Sequence, residues 1–252
     1  MGNKKKWKIF IVTHKTIREH YYVNDKNFNN ENWGFINVSK EKLHDNIWYE
    51  KYHIIDMNKL PSFKPLGSQY AETEAIYNVY KNDIYLDYDY IGFIHHDYEL
   101  KDEFGDFNIT EKINKLLDNY ELLYLSSING DYHQKILADE TIPNQQVGDG
   151  VNCYDYIIND YNNFYKKNEN VEEWKGDYKK NICSAFLCNK EDFVKMMEFS
   201  SSIIESKKLD IFDVNKKYRF QGGIFERYFS VFLDKLRKPF YVLELNHRWL
   251  EK

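Results

Sequence analysis

Short apolar runs alternate with amphipathic stretches along this chain, and that alternation narrows the fold more than any other feature of the sequence. "WKIFIVTHK", "YDYIGFIHHD", "ELLYLSS" and "PFYVLELNHRWL" read as buried strands: each is an apolar run of strand length that gives way to polar residues. "GSQYAETEAIYNVYKN" predicts a helix with Ser68 as N-cap, Glu72 and Glu74 in its early turns, and Ala75, Ile76, Val79 and Tyr80 as an apolar stripe. "ITEKINKLLDNY" predicts a second amphipathic helix, opening at Thr110. Strand, helix, strand, helix, strand is the pattern of an α/β sheet. Elsewhere the pattern is weaker. "KYHIIDM" predicts a strand within the irregular, Asn-rich stretch from Thr16 to Pro65, and "ADETIPNQQVGDG" reads as a loop. "VNCYDYIINDYNNFYKKN" predicts a helix, "NICSAFLCNKEDFVKMMEFSSSIIE" a strand running into a helix capped by Asn189, and "RFQGGIFERYF" a Gly-Gly turn that launches a helix.

The 252 residues, 42% hydrophobic and 17% aromatic, suffice for one globular domain, or one large domain with a small appendage, around a sizeable core. A net charge of -5 argues against a nucleic-acid binder, because phosphate recognition leaves a basic footprint. Cys153, Cys183 and Cys188 show neither a disulfide framework nor zinc-ligand spacing, which fits a reducing cytoplasm. No run approaches the roughly 20 apolar residues of a membrane span. The apolar part after the basic start, Ile9 to Val12, is too short for a signal peptide, and Lys6 stands where a myristoylation motif needs Ser or Thr.

Open α/β sheets bind ligands outside the carboxyl ends of their strands, so the residues after each apolar run are the candidates for chemistry. They are Thr13-His14-Lys15, His95-His96-Asp97, Ser126-Ser127 and Asn246-His247-Arg248. A carboxylate in the position of Asp97 suits a divalent cation, Mn2+ or Mg2+, that also holds a diphosphate, with His247 as an imidazole ligand. The alternative is that Asp97 solvates a strand end. In "RFQGGIFERYF", Glu226 is placed to act as a general base toward an acceptor hydroxyl, or simply to complement a helix N-terminus. Arg227 either holds a phosphate or pairs with Glu at the surface, and Glu72, at the opening of its helix, is placed to face the site.

"AETEAIYNVYKN" followed by "DYIGFIHHDYEL" resembles the paired motif of a bacterial family of capsule and O-antigen glycosyltransferases, long filed as a domain of unknown function. The family pattern is close to E-L-T-A-L-Y-x-x-W-K-N, then D-Y-[IV]-G-L-x-H-Y-R-R. Glu72, Ala75, Tyr77, Lys81, Asn82, Asp89, Tyr90, Gly92 and His95 match in place, and "GGIFERYFSVFL" resembles the late G-F-x-x-E-R-L-F segment through Gly223, Glu226 and Arg227. Where the family continues H-Y-R-R, this chain has His95-His96-Asp97, which looks more like the D-x-D strand end of a metal-dependent GT-A enzyme.

The resemblance implies a GT-A-like, Rossmann-type mixed sheet flanked by helices in a single domain over 1–252, with a nucleotide-binding half to about 128 and an acceptor half from about 129. It implies transfer of a sugar from a nucleotide-sugar to a glycan or lipid-linked glycan in surface polysaccharide synthesis. The cytoplasmic location to which the cysteines point leaves room for peripheral association at the inner face of the membrane. The donor would be bound by Thr13, His14, Lys15, Glu72, Tyr77, His95, His96 and Arg227, the metal by Asp97 and His247, with Glu226 as base for an inverting displacement. Two other classes compete. A nucleotidyltransferase would carry a Gly-rich basic loop after its first strand, and "VTHKTIREHYY" has no glycine; a glycan- or nucleotide-sugar-binding protein without turnover would have no need of Asp97 and Glu226.

Overall fold

The first apolar run forms β1 (Trp7–Thr13), buried along its whole length. Its side chains divide by parity: Phe10 and Val12 join one core cluster, while Trp7, Ile9 and Ile11 join the other. A strand covered on both faces has no polar side to show, which is why the run reads as continuous rather than alternating. The computed structural model describes residues 5–14, 16–39, 43, 46–127, 153–170, 184–211 and 220–248.

After β1 come β2 (Trp33–Asn37), α1 (Ile47–Lys51), β3 (Ile54–Asp56), α2 (Glu72–Lys81), β4 (Tyr90–His95), β5 (Tyr98–Asp102), α3 (Ile109–Leu116) and β6 (Leu122–Ser127). Then follow α4 (Cys153–Tyr165), β7 (Phe186–Asn189), α5 (Lys190–Glu205), α6 (Phe220–Lys235) and β8 (Phe240–His247). The strands form one mixed sheet in the order β3-β2-β1-β4-β7-β6-β8-β5. β1 runs parallel to β2 and β4, β7 is antiparallel to both β4 and β6, and β5 is antiparallel to β8. Only His96 and Asp97 separate β4 from β5, yet β5 lies at the far edge of the order. The sheet must curl for so short a turn to reach, and the curl brings β8 and β5 back to the carboxyl end of β4. One core cluster lies between the sheet and α2, α4, α5 and α6; the other covers the opposite face with α3.

The predicted α/β mixed sheet with flanking helices is what forms, with four differences in detail. β2 and β5 carry no clear strand signal, since "WGFIN" lies in Asn-rich sequence and three of the five residues of "YELKD" are charged. Ser68 is not a helix cap: Ser68–Tyr70 makes its own 3-10 turn, and α2 begins at Glu72 after Ala71, whose φ of 49° is strained for a residue with a Cβ. The Gly pair lies inside the first turn of α6 rather than before it. There Gly222 permits close approach, because a Cβ on it would stand 2.8 Å from Ala71 Cβ and 3.0 Å from Tyr70 O. The Asn189 cap is as expected, its side chain accepting from Asp192 N at 2.9 Å. Cys183 and the loop "ADETIPNQQVGDG" lie outside the described residues.

Candidate active site

Val12 and His95 are in register, so the carboxyl ends of β1 and β4 lie side by side. His14 therefore leaves the sheet beside His96 and Asp97, where α/β sheets place their ligands. The His96–Asp97 turn is tied down from three directions. His96 N donates to Val12 O at 3.1 Å, Tyr22 Oη donates to His96 O at 3.0 Å, and Arg248 N donates to Asp97 O at 3.0 Å. The carboxylate is thus held in position by backbone contacts on both sides of it.

Glu72, the first residue of α2, places Oε1 3.1 Å from His95 Nε2, and His95 Nδ1 lies 3.2 Å from Asp97 Oδ2. The second contact is ionic and bent out of hydrogen-bond alignment, leaving Nδ1 without a hydrogen-bond partner. Asp97 Oδ1 accepts from Arg18 Nη1 at 2.6 Å and stands 3.4 Å from His96 Nε2. His14 packs edge-on against His96, ring centroids 4.7 Å apart.

These contacts set unlike charges on adjacent rings. Burial acts to lower the His95 pKa, but Asp97 and Glu72 outweigh it and raise the imidazole to about 9. Burial, then the charge of His95, pulls His96 down to about 3. For Asp97, burial acts upward, and His95, His96 and Arg18 overcome it to hold the carboxyl well below the usual carboxylate range. At neutral pH the cluster is a cationic His95 clamped between two carboxylates, next to a neutral His96.

A cavity of about 610 Å³ opens onto this cluster. His14, Glu72, Glu74 and His95 give it a polar end; Val38, Met57, Phe63 and Pro65 give it an apolar wall, and Ser39 and Asn58 add polar groups. Three of the residues expected to hold the donor, His14, Glu72 and His95, line it, and His96 adjoins through both histidine rings. Thr13 turns away and donates its hydroxyl to Thr16 O at 3.0 Å. Lys15 lies outside the described residues, as do the side chains of Ser126 and Ser127.

Tyr77 and Arg227 face the interior instead. Tyr77 follows Glu72 by five residues, about 140° around the helix, which puts it on the core side with Oη donating to Glu205 at 2.9 Å. Arg227 is 1% exposed and donates Nη1 to the Gly223 carbonyl one turn earlier, so it lies in the interior rather than at the surface. Glu226 is partly exposed on α6 and is not among the residues lining the cavity. His247 is in register with Tyr98 and packs on its ring at 4.6 Å. The imidazoles beside Asp97 come from His95 and His96 instead.

Sequence reasoning missed Arg18. The stretch "VTHKTIREHYY" reads as a plain loop because it lacks glycine; its signal is a guanidinium shortly after the first strand, and only the fold brings that group to Asp97. Ser39, Asn58 and Glu74 carry no signal of their own, since the cavity wall is assembled from separate loops.

Among the described residues, His95, His96 and Asp97 each offer one ligand atom, all within 4.8 Å of one another. The nitrogens that face Asp97 are Nδ1 of His95, at 3.2 Å, and Nε2 of His96, at 3.4 Å, so one nitrogen from each ring stands beside the carboxylate. Two imidazoles and one carboxylate fit Mn2+ better than Mg2+, which favours an all-oxygen shell. Ligation by His95 would release its proton, and Arg18 competes for one Asp97 oxygen.

No family profile matches the sequence, and no curated protein matches it. Solved structures do resemble it. The bifunctional glycosyltransferase WbbM, in its apo form, aligns over 97% of this chain with a TM-score of 0.61 and 18% identity. This chain spans 45% of the length of WbbM. Two structures of glucosyl-3-phosphoglycerate synthase from Mycobacterium tuberculosis, one with Mn2+, UDP and phosphoglyceric acid and one with Mg2+ and UDP, align over 81% of this chain and 66% of theirs, at 8% identity and a TM-score of 0.44. The fold is the α/β mixed sheet of GT-A-like glycosyltransferases.

Proposed function

We propose that this chain is a glycosyltransferase that moves a sugar from a nucleotide-sugar to a hydroxyl of a glycan or lipid-linked glycan acceptor, in the synthesis of a surface polysaccharide. One observation carries the reading: a ligand-sized cavity at the carboxyl ends of β1 and β4, in a GT-A-like sheet, is lined by His14, Glu72 and His95, with His96 and Asp97 adjoining them. The paired motif that matches through Glu72 and His95 supports the polysaccharide role, since these two residues meet at 3.1 Å. In this reading the apolar wall takes the nucleoside and the histidine end takes the diphosphate. Glu72 orients His95 and fixes its charge. His95, His96 and Asp97 would hold Mn2+. A divalent cation bound there supplies positive charge to the leaving diphosphate.

Glu226 is the proposed base. Support comes from Gly222, four residues earlier on the same face of α6, which seats against Ala71 beside Glu72. In this reading Glu226 would approach the cavity from the side of α6, and an acceptor hydroxyl deprotonated there would displace the nucleotide directly with inversion. Among the described residues no helix is long and apolar enough to cross a membrane, so any association with the membrane would be peripheral to these elements.

The test is a thermal-shift panel of UDP-, GDP-, CMP- and dTDP-sugars with and without Mn2+, followed by a transfer assay with the stabilising donor. At least one donor is expected to raise the melting temperature; no stabilisation by any would sink the proposal. Asp97→Asn and Glu226→Gln are each expected to reduce transfer by about two orders of magnitude or more while leaving cooperative unfolding intact. Full activity in Asp97→Asn would remove the metal assignment, and full activity in Glu226→Gln would remove the base.

A further inference from the structure

We propose that Arg18 is a donor-binding residue that exchanges one anion for another, leaving the Asp97 carboxylate for the diphosphate of the incoming nucleotide-sugar and so coupling donor binding to metal binding. This rests on the nucleotide-sugar reading of the cavity. The observation behind it is the unequal freedom of the groups around Asp97. The turn itself is fixed by backbone bonds to Val12, Tyr22 and Arg248, and the His95 and His96 side chains are only 10% and 13% exposed. Arg18 is 34% exposed and comes from the loop between β1 and the 3-10 turn Glu19–Tyr21, with its guanidinium over the Tyr21 ring at 5.5 Å. It is the partner of Asp97 that can leave.

Its chemistry matches what it would leave for. A guanidinium fork binds phosphate oxygens as well as it binds a carboxylate, and the tyrosine face beneath it offers a surface on which it can slide without losing its packing. While Arg18 donates to Oδ1 at 2.6 Å, a cation approaching Asp97 meets an oxygen already engaged and a like charge beside it. A diphosphate removes both obstacles by drawing the guanidinium away. Mn2+ alone therefore binds weakly, and Mn2+ and nucleoside diphosphate each strengthen the other, as a coupling between sites requires.

Arg18→Gln and Arg18→Lys test this without a transfer assay. Mn2+ binding to the chain alone is followed by loss of the free-ion electron paramagnetic resonance signal. Binding of UDP, GDP and dTDP is measured by calorimetry with and without Mn2+. Arg18→Gln is expected to bind Mn2+ alone about tenfold more tightly and the preferred nucleotide about tenfold more weakly, with the coupling between them lost. Arg18→Lys, which keeps the charge and loses the fork, should keep weak Mn2+ binding and fall between the two for nucleotide. Unchanged, weaker or absent Mn2+ binding in Arg18→Gln, or unchanged nucleotide affinity, overturns the proposal while nucleotide binding by the wild type leaves the transferase reading standing. A wild-type chain that binds none of the three nucleotides overturns the diphosphate-donor reading and this proposal together.

Discussion

His95 sits 3.1 Å from Glu72 through Nε2 and 3.2 Å from Asp97 through Nδ1, so its positive charge lies between carboxylates from the two elements that build the site. Its pKa stands at about 9 in the folded chain against an ordinary 6.5. The folded state therefore binds more protons than the unfolded one between these values. The stability this provides is complete below pH 6.5 and is lost as pH rises toward 9. Lys8, lowered by burial from 10.5 to about 8, acts in the opposite sense, but only above pH 8. His96, held neutral to about 3, disfavours folding as pH drops below 6.5. Without added metal, the melting temperature should peak near pH 6.5 and decline toward pH 8, and His95→Gln should flatten that decline. An equal decline in the variant would mean that the His95 charge is not its source.

At the scale of elements, the paired motif of α2 and β4 separates into two jobs. Glu72 and His95 open onto the cavity. Tyr77 and Lys81, one turn apart on α2, both hold Glu205 at the end of α5, at 2.9 and 2.7 Å. Asn82 accepts from Ser62 N at 2.8 Å, and Asp89 accepts from Lys6 N at 2.9 Å. Gly92 lets β7 close on β4, since a Cβ there would stand 2.2 Å from Phe186 O. Most of the motif thus positions α2 and β4 so that two of its residues can meet. Tyr77→Phe, which removes one hydrogen bond to a partly exposed carboxylate, should lower stability by about 1 kcal/mol and leave nucleotide affinity unchanged. A nucleotide affinity reduced tenfold or more, on the order of one lost charge-assisted hydrogen bond, would return Tyr77 to the donor site.

Across the whole molecule, the two expected halves share one sheet. β7 comes from beyond residue 128 and is antiparallel to both β4 and β6, the central joint of the order β3-β2-β1-β4-β7-β6-β8-β5. Without it, β4 and β6 lose a common neighbour, and the face carrying Phe10, Phe93 and Tyr124 loses the cover of α4, α5 and α6. A fragment of residues 1–128 should therefore show no cooperative thermal transition by circular dichroism. A cooperative transition would mean that the nucleotide half folds by itself.

The sequence alone determined the α/β class, most strands and helices, and the polar strand ends of which His14 and His95 line the cavity. These are local properties: apolar runs, helical period and caps such as Asn189 act over a few residues. It also singled out His95 and Asp97, because charged and imidazole groups at such ends stand out from apolar surroundings, and Glu72, at the opening of a helix. Only the tertiary structure decided who meets whom. Arg18 and Asp97 are separated by 79 positions and Tyr77 and Glu205 by 128, and no local pattern encodes either pair. Helical phase turned Tyr77 and Arg227 inward, the curl of the sheet set His247 on Tyr98, and a hairpin-length turn fixed His96 and Asp97 beside His14. The charge on His95 and the neutrality of His96 follow from that arrangement, since adjacent rings of the same residue type differ in how the fold buries them and in which carboxylates and cations it brings to them.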